Sequence, residues 1–244
     1  MWLENSFKAY IEWLLDKWGY AQHDVQEWLQ HCAQMILWYS VAGRYGLTEQ
    51  MADDFVGQVR RNRLDLLPYE QRRTWDAAVR LAQEICVQRT THPVMWFTEG
   101  CQPLEAGWRR LDALPYIGPK IASFILRDLS FMRDYHGSPR VRALTQNNAR
   151  DSRWFAQLAE EDQALFVPID LHVHAEAVEH GVSPTAVRYD RSTIQSDPTG
   201  TLHRQVATEI VRWAQCFNFD PRDVNVYWYS LRAGNVYEDG TPVP

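Results

Sequence analysis

Two residues of this chain have the types and settings that nucleophilic chemistry needs. Lys120 follows the run Leu114-Pro115-Tyr116-Ile117-Gly118-Pro119, a short turn and then a proline suited to the first turn of a helix. Asp170 closes the apolar run Val167-Pro168-Ile169 and stands just before the helical pattern Leu171-His172-Val173. A lysine amine, once neutral, attacks an electrophilic carbon. A carboxylate beside it stabilises developing positive charge, or helps to deprotonate the attacking group. Each residue also has a plainer use. Lys120 would serve as a solvated charge or a phosphate contact, and Asp170 as a helix N-cap.

The surroundings of Lys120 suit phosphate. From Leu111 to Leu129 the pattern reads as a helix end, a tight hairpin and a second apolar helix. Such a turn leaves backbone N–H groups pointing outward, and the amides and dipole at the start of the second helix attract an anion. Leu114, Tyr116, Ile117, Gly118 and Lys120 are therefore the expected contacts to a nucleic-acid backbone, gripped without reading its sequence. An ordinary helix–helix corner is the simpler alternative, but the order Leu-Pro-Tyr-Ile-Gly-Pro-Lys-Ile-Ala is more particular than a corner requires. Leu114, Ile117, Ala122 and Phe124 are expected to pack the two helices together. Gly118 is expected to take a backbone conformation closed to other residues.

The elements that position these residues are helical nearly throughout. Apolar spacing predicts helices over Phe7–Leu15, His23–Val41, Pro68–Val87, Leu104–Leu114, Pro119–Phe131, Ser152–Leu165, Asp170–Glu179, Leu202–Phe217 and Pro221–Leu231, with Thr48 capping another through Val59. Pro93 and Pro103 interrupt the chain, Tyr135–Asp151 reads as a loop, Ser183-Pro184 opens a short helix, and Arg191–Gly200 is a turn-rich linker. Strand signals are scarce, so the fold class is all-α. The expected division places residues 22–140, with the hairpin at 111–129, in one helical lobe. Residues 1–21 with 166–244 form a second lobe carrying Asp170, and 141–165 are an insertion or connector.

Composition narrows the partners. The 244 residues carry a net charge of -6, yet between Cys101 and Arg150 eight basic residues face four acidic ones, and phosphate binding needs only a positive face. No apolar run spans a bilayer, and the start of the chain, with Glu4 and Glu12, lacks the basic opening and cleavage site of a secretory signal. A cytoplasmic monomer without a membrane partner is expected. Cys32, Cys86, Cys101 and Cys216 are widely spread, which argues against zinc or an iron–sulfur cluster. His172-x-His174 beside Asp170 invites a metal-dependent hydrolase, but residues two apart on a helix point to different faces, so no metal is expected. His174 and His180 are placed at the surface or between lobes. The run Arg60-Arg61-Asn62-Arg63 reads as a solvated helix end. Trp38, Tyr39, Trp96, Phe97 and Trp228 are candidates to line a pocket, each more readily a core residue.

Leu114-Pro115-Tyr116-Ile117-Gly118-Pro119-Lys120-Ile121-Ala122 resembles the helix-hairpin-helix of the base-excision DNA glycosylase superfamily, and Val167-Pro168-Ile169-Asp170-Leu171-His172-Val173 resembles the segment that carries its catalytic aspartate. Asp220-Pro221-Arg222-Asp223-Val224-Asn225 and Tyr227-Trp228-Tyr229 are similar to the closing helix of some members. The resemblance implies two helical lobes with a DNA cleft between them, double-stranded DNA as partner, and base excision from a flipped-out nucleotide. It makes Lys120 and Asp170 the catalytic pair, with lysine marking the members that also cleave the strand. It gives His172 a structural role near the site. It implies no cofactor beyond a monovalent cation at the hairpin. The chain departs from the family pattern at Tyr116, which replaces a first glycine, in the long gap from Lys120 to Asp170, and in lacking the iron–sulfur cysteines. Oxidised purine or a hypermodified cytosine of phage DNA, the latter an antiviral role, is the expected substrate. A non-catalytic hairpin module that binds DNA is the alternative.

Overall fold

The computed structural model describes residues 10–11, 13–14, 16–18, 25–44, 47–135, 153–183 and 200–232. All regular structure among them is helical, with no strand. The principal helices are Val25–Ala42, Glu49–Arg60, Tyr69–Ala82, Leu104–Asp112, Pro119–Tyr135, Leu171–Glu179, Thr201–Cys216 and Pro221–Arg232. Thr48 caps the Glu49 helix, its Oγ1 accepting from Met51 N–H at 3.2 Å. Among the described residues no helix is long and apolar enough to cross a membrane. The expected loop after Tyr135, the helix after Ser183 and the linker before Gly200 lie outside the described residues.

Two expectations of regular helix fail. The segment Ser152–Leu165 is two short helices, Arg153–Ala156 and Glu160–Ala164. The break between them lets Phe155 and Phe166 meet edge to face at 5.5 Å. The long helix before Val87 is α-helical only to Ala82, then widens to π geometry over Gln83–Gln88, and a second wide segment covers Trp96–Gly100. Apolar spacing does not distinguish these widths over one or two turns. Helix ends are better marked. Asn62, Gly181 and Asn218 hold left-handed backbone angles (φ 55°, 68° and 57°), and the residue after each donates its N–H to a carbonyl five residues back. Glycine and asparagine tolerate that conformation best.

The chain forms two compact units, Trp18–Leu129 and Met1–Lys17 with Ser130–Pro244. The division falls within the helix Pro119–Tyr135, and residues 153–165 belong to the second unit. In the first unit the Val25–Ala42 helix is buried on every side from Cys32 to Val41, as a helix apolar all round must be. Its polar groups are satisfied locally. Trp38 Nε1 donates to Asp53 Oδ1 (2.8 Å), Gln34 Oε1 accepts from Arg60 Nε (2.9 Å), and Ser40 Oγ donates to the Leu37 carbonyl (2.6 Å). Gly43 lets the end of this helix approach the hairpin helix, because a Cβ there would lie 3.1 Å from Ile121 Cγ1.

The second unit packs Val206, Ala207, Ile210, Val211 and Ala214, one face of their helix, against Val167, Ile169, Val173, Ala177, Val224 and Trp228. Beside this core lies the buried guanidinium of Arg222, fully removed from solvent. Nε and Nη2 donate to the two oxygens of Asp220 (3.0 and 2.7 Å), Nη2 also to Asp134 Oδ2 (2.8 Å), and Nη1 to Ser130 Oγ (2.8 Å). The Phe155 and Phe131 rings lie 3.8 and 5.0 Å from Cζ. Asp134 Oδ1 accepts from Trp154 Nε1 at 2.6 Å. Such a network stabilises only while every member is paired. Arg222→Met would leave two carboxylates without their cation and is expected to cost about 3 kcal/mol or more in urea unfolding. Adding Asp134→Asn to it should recover part of that loss.

Candidate functional site

The hairpin belongs to the first unit. The Leu104–Asp112 helix closes with Ala113 N–H on the Arg109 carbonyl (3.0 Å), and the turn follows with Leu114 N–H on Leu111 O (2.9 Å) and Ile117 N–H on Leu114 O (3.1 Å). Ala122 N–H then bonds the Gly118 carbonyl (2.9 Å), which opens the second helix. The amides of the first turn before Ala122 precede any intrahelical acceptor. Ile117 is buried and its amide is engaged, so it holds the turn from inside, while Leu114, Tyr116, Gly118 and Lys120 are partly exposed.

Tyr116, not Gly118, is the strained residue. Its φ is 63°, in the left-handed region that glycine favours, at the position where the resembled hairpin has its first glycine. The corner is held by its neighbours. The Arg44 guanidinium lies 5.3 Å from the Tyr116 ring and pairs with Glu70 (2.9 Å), and Thr74 Oγ1 donates to the Pro115 carbonyl (3.0 Å). Gly118 has an ordinary φ, and a Cβ added there meets no described atom within 4 Å. The expectation that Gly118 takes a glycine-only conformation is therefore corrected. Among the described residues a side chain at this position would meet open space.

Lys120 is partly buried, with Nζ 6.0 Å from the centre of the Phe124 ring. Arg127 Cζ lies 4.7 Å from the same ring, and Tyr39 stacks on it at 6.5 Å. Beneath them Asp128 is wholly buried. Its Oδ1 accepts from Arg127 Nε at 2.9 Å, and its Oδ2 accepts from the Tyr39 hydroxyl. Sequence reasoning passed over Asp128 and Arg127, although charged residues inside the run Ile125–Met132 are a sign of an internal ion pair.

Asp170 belongs to the second unit. Asp170 is the N-cap of Leu171–Glu179, with Oδ1 accepting from the N–H groups of both His172 (2.9 Å) and Val173 (2.8 Å). Among the described residues no donor reaches Oδ2. Asn225 Nδ2 donates to the Pro168 carbonyl at 2.6 Å, so the closing helix Pro221–Arg232 holds the strand-like approach to Asp170 in place. His172 is exposed and meets the edge of Tyr229 at 6.0 Å.

His174 is buried, which removes the surface half of its expected placement at the surface or between lobes, because the helix turns its 173–174–177 stripe inward. Its Nε2 lies 3.4 Å from Ser183 Oγ, and burial holds its pKa below the usual histidine value. His180 stacks on Trp228 at 5.2 Å and pairs with Glu176 at 3.6 Å. His172 and His174 thus face different surroundings, and among the described residues no three His, Cys, Asp or Glu side chains form a metal set. Cys32, Cys86 and Cys101 are buried free thiols, Cys86 pushed up to about 12 by burial, and Cys216 is exposed. Trp38, Tyr39, Trp96, Phe97 and Trp228 are all core residues. Arg60 bonds Gln34, and Arg63 pairs with Asp65 at 3.2 Å.

No family model, no curated protein and no solved structure matches this chain.

Two outcomes follow from this geometry. Gly118→Ala should change the free energy of urea unfolding by less than about 1 kcal/mol, whereas Tyr116→Val, which puts a β-branched residue at a left-handed angle, should cost about 2 kcal/mol. Acidification should also weaken the fold. A histidine whose folded pKa is lowered contributes its stability in full above its unfolded value near 6.5 and loses it as pH falls through the folded value. His31 is lowered in the same sense, by burial and then by Arg60. The urea midpoint should fall between about pH 7 and about pH 5, and His174→Asn should flatten that fall.

Proposed function

We propose that the protein is a DNA glycosylase that excises a damaged or modified base from a flipped-out nucleotide and then cleaves the strand as an AP lyase. The observation that carries this reading is the hairpin. Its left-handed corner at Tyr116, open space over Gly118 and lysine in the first turn of the next helix suit a phosphate grip with a nucleophile beside it. The Asp170 carboxylate adds the second group, because its cap uses one oxygen and leaves the other for charge stabilisation. The proposal calls for duplex DNA in a cleft between two helical lobes, bound by a monomer, with the target base flipped out at a cost of a few kcal/mol.

In this mechanism the neutral Lys120 amine forms a bond to C1′ while the N-glycosidic bond breaks. The base leaves with that electron pair and is protonated. Asp170 stabilises the positive charge that develops on the sugar, and the amine loses its proton as the sugar ring opens to a Schiff base. Loss of the C2′ proton then expels the 3′ phosphate by β-elimination. Oxidised purine and hypermodified cytosine are the two substrate classes proposed. The competing reading, a hairpin module that binds DNA without chemistry, is favoured by one observation. Both amides on Asp170 Oδ1 make an ordinary N-cap.

Borohydride trapping on lesion-bearing duplex decides between them. Wild type should form a covalent adduct and Lys120→Gln none; equal trapping by both would remove Lys120 from the role of nucleophile. Asp170→Asn keeps a capping oxygen while removing the charge, so it should fold and bind DNA but release base at least about 100-fold more slowly. Mass spectrometry of bases released from normal, oxidised and phage DNA identifies the substrate class.

A further inference from the structure

We propose that Phe124 is a positioning residue for the Lys120 amine, its ring providing a fixed, partly dehydrated seat for the side chain. The inference rests on the role proposed for Lys120. Residues 120, 124 and 127 share one face of the helix by their spacing. Two basic side chains lie over the Phe124 ring, Lys120 Nζ at 6.0 Å and Arg127 Cζ at 4.7 Å from its centre, the guanidinium within cation–π reach and the lysine able to rest its stem and its neutral amine on the ring.

The ring is held by more than its own rotamer. Tyr39, from the buried Val25–Ala42 helix, stacks on it with an interplanar angle of 24°. The Tyr39 hydroxyl is tied to Asp128, and Asp128 is also bonded to Arg127. One buried carboxylate therefore fixes both neighbours of the ring and offsets the Arg127 charge. A residue that served only to pack the two hairpin helices would be as buried as Ile121 and Ile125, whereas Phe124 is partly exposed. A lysine stem has four rotatable bonds, and a nucleophile spread over many rotamers reacts slowly. Restricting it beforehand lowers the entropic part of the barrier.

The test uses a duplex carrying a preformed abasic site, which removes the dependence on base identity, with borohydride trapping of wild type, Phe124→Leu and Phe124→Tyr. Phe124→Leu should lower the maximal trapping rate about tenfold with the half-saturating duplex concentration unchanged. Phe124→Tyr keeps the ring face and should trap within about twofold of wild type. The inference is overturned by a Phe124→Leu rate equal to wild type, by a half-saturating concentration that rises in step with the loss, or by Phe124→Tyr falling as far as Phe124→Leu. A wild type that traps no better than Lys120→Gln instead overturns the proposed function itself.

Discussion

A carboxylate removed from water must find partners, and the helix Pro119–Tyr135 carries two that are buried, Asp128 and Asp134. Six residues apart, they face different sides of the helix, and each is bonded into a different unit. Asp128 takes the Tyr39 hydroxyl and Arg127, while Asp134 takes Arg222 and Trp154. The desolvation cost of each charge is offset only if donors are placed to within hydrogen-bond tolerance. The helix that carries Lys120 is therefore held by polar geometry as well as by apolar packing. The same Arg222 that pairs with Asp134 begins the closing helix whose Asn225 holds the carbonyl of Pro168, two residues before Asp170.

The hairpin shows how a local rule is met by another residue. The corner needs one left-handed backbone position, and Tyr116 supplies it without being glycine. The steric cost of about 1 kcal/mol is offset by the Arg44–Glu70 brace on the ring and by Thr74 on the adjoining carbonyl. Gly118 is thereby released from a conformational task.

Much of this was legible from the chain. The all-helical class, the helix starts at Thr48, Pro119 and Asp170, and the helix end at Glu179 follow from apolar spacing and from cap chemistry that acts over four or five residues. The wide turns at Gln83–Gln88 and the break before Glu160 were not legible. There the helix yields to the packing of residues distant in sequence, which leaves no periodic mark. The surface alternative for His174 failed for a related reason, since the face of Leu171–Glu179 that meets the core depends on the helices packed against it.

By itself the sequence determined the identity and order of the chemical groups, a lysine in the first turn after a hairpin and an aspartate at a later helix start. Turn residues and caps are short-range devices, readable within a few positions. Only the tertiary structure decided that Tyr116 takes the left-handed corner and that Tyr39, Arg127 and Lys120 all come to the Phe124 ring. Those outcomes turn on where Tyr39, Arg44, Glu70 and Thr74 arrive in space. Burial energies summed over a whole unit fix that arrangement, and no local pattern encodes it.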